Sequence, residues 1–165
     1  MKFIETLFLG ILIACTSLIA QVFVTVIAEL FFRTVFTFQY LPTDSIHHIC
    51  VLMIVAASTE EILRYLIIKK RVSQHTSSIL QTLIHGFLLG SGFASFELFL
   101  ASLNHTVSTS TISMFIPVFI IHIILSIFLL FFIKSTSKTI PDSLFLITSI
   151  ILHTASNLSL FYFLT

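Results

Sequence analysis

Five apolar stretches, each close to bilayer length, divide the chain: Phe3 to about Thr25, Ile46 to Ile68, Ser78 to Leu103, Thr111 to Ile133 and Ser143 to Leu164. A spanning helix needs about 20 such residues, so the pattern predicts five transmembrane helices with short connections. The first can run on towards Phe38, and Leu41-Pro42-Thr43-Asp44 reads as a turn. The apolar first stretch is too long for the core of a cleaved leader and is expected to stay as a helix. The alternation of apolar and polar residues that builds an outer-membrane barrel is missing, and no linker, repeat or soluble domain stands out. The expected fold is therefore all-α, one polytopic membrane domain over residues 1–165. Helix 1 (about 3–38) would be accessory to a four-helix core formed by helices 2–5 (about 46–164).

Composition agrees. The chain is 57% hydrophobic and 9% charged, with a mean hydropathy of +1.12, outside the range of soluble domains. A net charge of +1 without a basic patch excludes nucleic acid as a partner. Cys15 and Cys50 lie in different apolar stretches without a CxxC and read as small apolar residues. Lys2, Lys69-Lys70-Arg71, Lys134 and Lys138 all fall on one side of a five-span topology. By the positive-inside rule the protein sits in the cell membrane with its amino terminus cytoplasmic and its carboxyl terminus outside.

What breaks the apolar pattern is more informative. A charged side chain within a bilayer is costly and marks a functional site by default, yet four of the five stretches carry ionisable groups well inside the run. Helix 2 contains Ser58-Thr59-Glu60-Glu61-Ile62-Leu63-Arg64. Arg64 is one turn from both acids and can support one of them while the other faces the bundle. In helix 3, Gly86, Gly90 and Ala94 share a face that Glu97 continues. Small residues four apart allow close helix packing, but they do not account for Glu97, which needs a partner, a proton or a metal. His85 is ~18 Å from Glu97 along a straight helix and belongs near the interface. His122 is the ionisable residue midway through helix 4. In helix 5, His153 and Asn157 face the same way, suited either to donate to a developing oxyanion or to bind and orient a metal. Counted from the cytoplasmic side, Glu61, His122 and His153 fall at ~12–17 Å and Glu97 at ~20–29 Å. A tilted or late-starting helix 3 would close that difference.

These motifs resemble the PrsW-type branch of the intramembrane proteases related to CAAX-processing (CPBP) and bacteriocin-processing enzymes. Glu60-Glu61 with Arg64 is similar to the family's paired glutamates followed by a basic residue. His85-Gly86 through Gly90, Gly92-Phe93-Ala94 and Glu97 is similar to its glycine-rich second motif, His122 to the lone histidine of the third, and His153 with Asn157 to the fourth. The resemblance covers about residues 52 to 160. It departs at His85, where Asp is usual, at Leu98, where Asn is common, and at Arg64, where Lys is more usual. The resemblance implies an intramembrane endopeptidase acting on membrane proteins or peptides, with helices 2–5 as its catalytic core. Glu60 or Glu61 would activate a water held also by Glu97 and His122, while His153 and Asn157 would stabilise the oxyanion. In a metal-dependent version, Glu61, Glu97, His122 and His153 supply ligands to a divalent ion such as zinc. There is no HExxH, which excludes the zincin arrangement. The same pattern of buried acids and histidines leaves open a proton-coupled transporter or an inactive membrane binding or immunity protein.

Overall fold

A spanning helix must satisfy its own backbone hydrogen bonds, and the computed structural model, which describes residues 2–36, 46–104, 109–135 and 141–164, contains helices and no strand among those residues. The elements are α1 (Phe3–Phe36), α2 (Ile46–Ile67), α3 (Ile79–Asn104), α4 (Thr109–Ser135) and α5 (Asp142–Leu164). Their ends agree closely with the apolar pattern, and the expected turn at 41–44 and Lys138 lie outside the described residues. By length and apolarity α1, α3, α4 and α5 can each cross a membrane. Helix α2 carries the charged trio Glu60, Glu61 and Arg64. A π turn over Ile68–Val72 and a 3₁₀ turn over Ser73–His75 continue it towards α3.

Helix α3 is the centre of the bundle, packed most extensively against α1 and α4, while α2 packs against α1 and α5. Two faces of small residues make this possible. A Cβ added at Gly10 of α1 would collide with the backbone of Leu89 and Phe93, and one at Gly90 of α3 with the backbone of His122 and Ile123. The face of Gly86 and Gly90 is the α4 contact, as the four-residue spacing predicts. Gly92 belongs to the other contact, against Leu7 and Ile11 of α1.

The outward faces are apolar: Phe23, Leu80, Ile120 and Ile151 are among many exposed large hydrophobics. The interior is the polar part, with Glu61, Arg64, His122 and His153 at 2% exposure or less. Hydrocarbon, unlike water, makes no demand that the charged groups face outward, so this inversion suits a bilayer.

Two contacts at one end set helix levels. Lys134 Nζ of α4 reaches Ser78 O and Thr82 Oγ1 at the start of α3, at 3.3 and 3.4 Å. Further along, Gly90 of α3 meets the backbone of His122 and Ile123, so Glu97 is seven residues, about 10 Å at 1.5 Å per residue, further along α3 than the level of His122. The expected difference in depth is therefore present, and the two side chains bridge it without a late start to α3. At the same end Lys69 Nζ donates to Asp142 Oδ2 at 2.6 Å and Tyr65 Oη to the same oxygen at 2.9 Å, fixing the foot of α5 to α2.

Replacing Gly90 by Val is expected to destabilise the bundle by about 1–3 kcal/mol, because a backbone rather than a movable side chain opposes the added atoms. Thermal unfolding in detergent checks this, with Ser95→Ala on the exposed side of α3 as a control expected to change stability by less than about 0.5 kcal/mol.

Candidate active site

An arginine buried among helices must spend its donors or cost several kcal/mol, and Arg64 spends its two terminal nitrogens on the neighbours available, while Nε has no partner among the described residues. Its Nη1 donates to Glu61 Oε1 in a fully buried ion pair. Its Nη2 donates to His122 Nδ1 at 2.8 Å. The guanidinium also lies over the ring of Phe93, 4.3 Å from its centroid, and that ring contacts His122, with centroids 4.5 Å apart. Phe93 thus fills the space beneath both groups with a cation–π surface.

Since a guanidinium only donates, His122 Nδ1 must accept, which puts the ring proton on Nε2. That nitrogen pairs with Glu97 Oε2. The expected partner of Glu97 is therefore His122, and a continuous chain of contacts runs from Glu61 through Arg64 and His122 to Glu97.

Glu61 is saturated. Besides Arg64, its Oε1 takes a 2.8 Å hydrogen bond from His153 Nδ1, and its Oε2 accepts from Ser149 Oγ. The sequence reading places Glu61 among the metal ligands, but the structure commits both its oxygens to α5 and Arg64. It also missed Ser149, an unremarkable serine by type that lies one helical turn before His153 on the same face of α5.

Glu60, the adjacent residue, is turned by about 100° around the helix axis and faces α1. Gln21 Nε2 donates to Glu60 Oε1 at 2.6 Å and approaches Ala56 O at 3.5 Å. The second oxygen, Oε2, is buried with no hydrogen-bond partner among the described residues, 3.5 Å from His153 Nε2. Because His153 gives its Nδ1 proton to Glu61, the ring offers a lone pair on Nε2 unless it is doubly protonated. The rings of His122 and His153 meet edge to face, 5.0 Å apart. Glu60, His122 and His153 each present a ligand atom, all within 4.8 Å of one another. This is the trio that could hold a metal, with Glu60 in the place expected for Glu61.

Beside Glu60 is a cavity of about 40 Å³, lined by Ala14, Leu18 and Gln21 of α1, Glu60 of α2, and Phe93, Phe96, Glu97 and Leu100 of α3. At roughly 10–15 Å³ of such volume per water it has room for about three. Asn157 is half-buried one turn beyond His153 and makes no hydrogen bond among the described residues. His85 lies away from the site, buried against Phe3 and hydrogen-bonded to Thr6 Oγ1 at 2.7 Å. Of the site residues expected from sequence, Glu60, Glu61, Arg64, Glu97, His122 and His153 form one connected cluster. Gln21 went unnoticed, although a lone amide inside an otherwise apolar span is itself a signal of a buried partner.

A sequence profile described as PrsW family intramembrane metalloprotease matches residues 5–131. The matched range takes in α1, which lies outside the motifs read from the sequence, and stops before α5 with His153 and Asn157. No curated protein and no solved structure matches the chain.

The two glutamates are expected to respond differently to the same substitution. Glu61→Gln leaves Arg64 buried without a carboxylate and should destabilise the protein by about 3–5 kcal/mol. Glu60→Gln removes no ion pair with Arg64 and should cost less than about 1 kcal/mol. Unfolding of both variants in the same detergent separates the acid that balances Arg64 from the one that does not.

Proposed function

Because the chain belongs to the PrsW family of intramembrane metalloproteases, we propose that it is an endopeptidase cutting membrane-associated proteins at the cavity beside Glu60. The observation that carries this reading is the buried Oε2 of Glu60, which has no hydrogen-bond partner among the described residues. One oxygen of this carboxylate is fixed by Gln21, the other is left beside His153 Nε2 at 3.5 Å, and the residue lines a cavity of water size. A carboxylate so placed takes a proton from water as the oxygen attacks the peptide carbonyl, then returns it to the leaving nitrogen. Proton transfer of this kind balances: water is divided between the new carboxyl and amino ends. Asn157 would donate to the developing oxyanion, joined by His153 when its ring is doubly protonated.

The donor set also fits the metal in the family description. Glu60 Oε2 has no competing partner, and His153 carries on its other nitrogen the carboxylate that commonly orients a metal-binding imidazole. Glu60, His122 and His153 would hold a divalent ion such as zinc, which would supply Lewis-acid polarisation of the carbonyl and acidify a nearby water. His122 joins such a set by yielding its Nε2 proton to Glu97. Glu97, the other carboxylate on the cavity wall, would hold that proton in this form. Lys2, Lys69, Lys70, Arg71 and Lys134 support an amino terminus in the cytoplasm.

Sequencing of new protein termini in membranes of cells carrying wild type or Glu60→Gln, matched for expression, tests the reading. Cleavage is expected to fall by about 10²–10⁴-fold in the variant. Identical termini in both would sink the protease and favour a transporter or an inactive binding protein. A divalent ion that copurifies with wild type and is lost from His153→Ala would mark the metal-dependent form. Undiminished cleavage by metal-free protein would mark the form that works through Glu60 alone.

A further inference from the structure

The span Phe3–Ile27 is the most apolar part of α1, and Gln21 lies within it with a primary amide that hydrocarbon cannot satisfy. The structure gives that amide two acceptors on α2. One is the carbonyl of Ala56 at 3.5 Å, the other Glu60 Oε1 at 2.6 Å. The amide has two N–H groups, so both contacts can be made at once. A carboxylate can swing about its last bond with little resistance; one held at Oε1 by a group itself tethered to the helix backbone cannot. The consequence is that Oε2 is kept on the side of His153. Gln21 also lines that cavity, next to Leu18 of its own helix and Leu100 of α3.

The level of Gln21 is fixed from below. Thr6 meets His85, and Gly10 meets the backbone of Leu89 and Phe93. These contacts advance by four residues on both helices, so α1 and α3 run side by side in one register. That register carries Ala14 and Leu18 to the levels of Phe93 and Glu97, and it delivers Gln21 to Glu60. Simple packing of α1 would need none of this, since an apolar side chain at position 21 would meet the bilayer at lower cost.

We propose that Gln21 is a positioning residue for the reaction, holding Glu60 so that its Oε2 faces the scissile bond. This makes α1 part of the working site. The inference rests on the protease reading above, with Glu60 as the acid that acts.

The test uses full-length protein in proteoliposomes, with a membrane peptide spanning a cleavage site found for wild type as the probe. Gln21→Met keeps length and removes the donor. Gln21→Asn keeps the amide and shortens its reach by one methylene. Both are expected to lower kcat by about 10- to 100-fold, with KM within about two-fold of wild type and an unchanged unfolding midpoint. A wild-type kcat in Gln21→Met, with Glu60→Gln inactive, would overturn this inference and leave the protease intact. A rise in KM or a fall in the unfolding midpoint that accounts for the loss would overturn it too, assigning Gln21 to substrate binding or to packing. Full activity in Gln21→Asn would show that the reach to Glu60 is immaterial, again against the proposal. If Glu60→Gln cleaves like wild type, the protease reading fails and this inference fails with it.

Discussion

The arrangement depends on how one guanidinium is held. Arg64 is fully buried, and a buried cation with one partner removed is among the more costly defects a protein can carry. Here it is bound to Glu61 within its own helix, to His122 on α4 and to the face of Phe93 on α3. Three helices are thereby fixed in rotation about one group. The same contact decides which nitrogen of His122 bears the proton, since an arginine cannot accept. A tautomer, an ion pair and a packing arrangement are one constraint seen three ways.

From this follows the difference between two glutamates that are neighbours in sequence. Residues one apart on a helix point about 100° apart, so Glu61 turns to Arg64 and α5 while Glu60 turns to α1 and α3. Glu61 accepts from Arg64, His153 and Ser149, leaving it little capacity to act on anything else. Glu60 has one oxygen occupied and one free. A polar atom buried without a partner costs free energy, and such a cost persists where the group is kept for a ligand, a water or a reaction. Glu61 is held on both oxygens, and Glu60 on one.

Much of this was legible in the sequence because a bilayer makes polar residues conspicuous. The five helices follow from apolar run length, and Glu60, Glu61, Glu97, His122 and His153 each stood out against hydrocarbon. Pairings were less legible. That Glu97 meets His122 depends on the relative level of α3 and α4, which Lys134, Ser78 and Thr82 set through contacts far along the chain. Which glutamate is free depends on helix rotation, and a run of two acids with Arg64 one turn on is compatible with either. Ser149 was hidden because serine is ordinary in a membrane helix, where its hydroxyl can bond its own backbone. Gln21 was hidden for a different reason: attention to ionisable groups passed over an amide that titrates nothing yet needs partners just as much.

The glycines of α3 connect this chemistry to the fold. At Gly90 the backbones of α3 and α4 come into contact beside His122, while Glu97 is about two helical turns further along α3, too far for a ring projecting straight across. Side chains on a helix lean towards its amino terminus. Helix α4 runs antiparallel to α3, as the pairing of Lys134 with Thr82 at one end and of Gly86 with Ile127 between them requires. His122 therefore leans up towards Glu97, and Glu97 leans down towards His122. The two cover the separation from both sides, which parallel helices at the same spacing could not do. Close approach at a glycine and the direction of two neighbouring helices are enough to bring Glu97 onto His122, and with it the end of the contact chain that begins at Arg64.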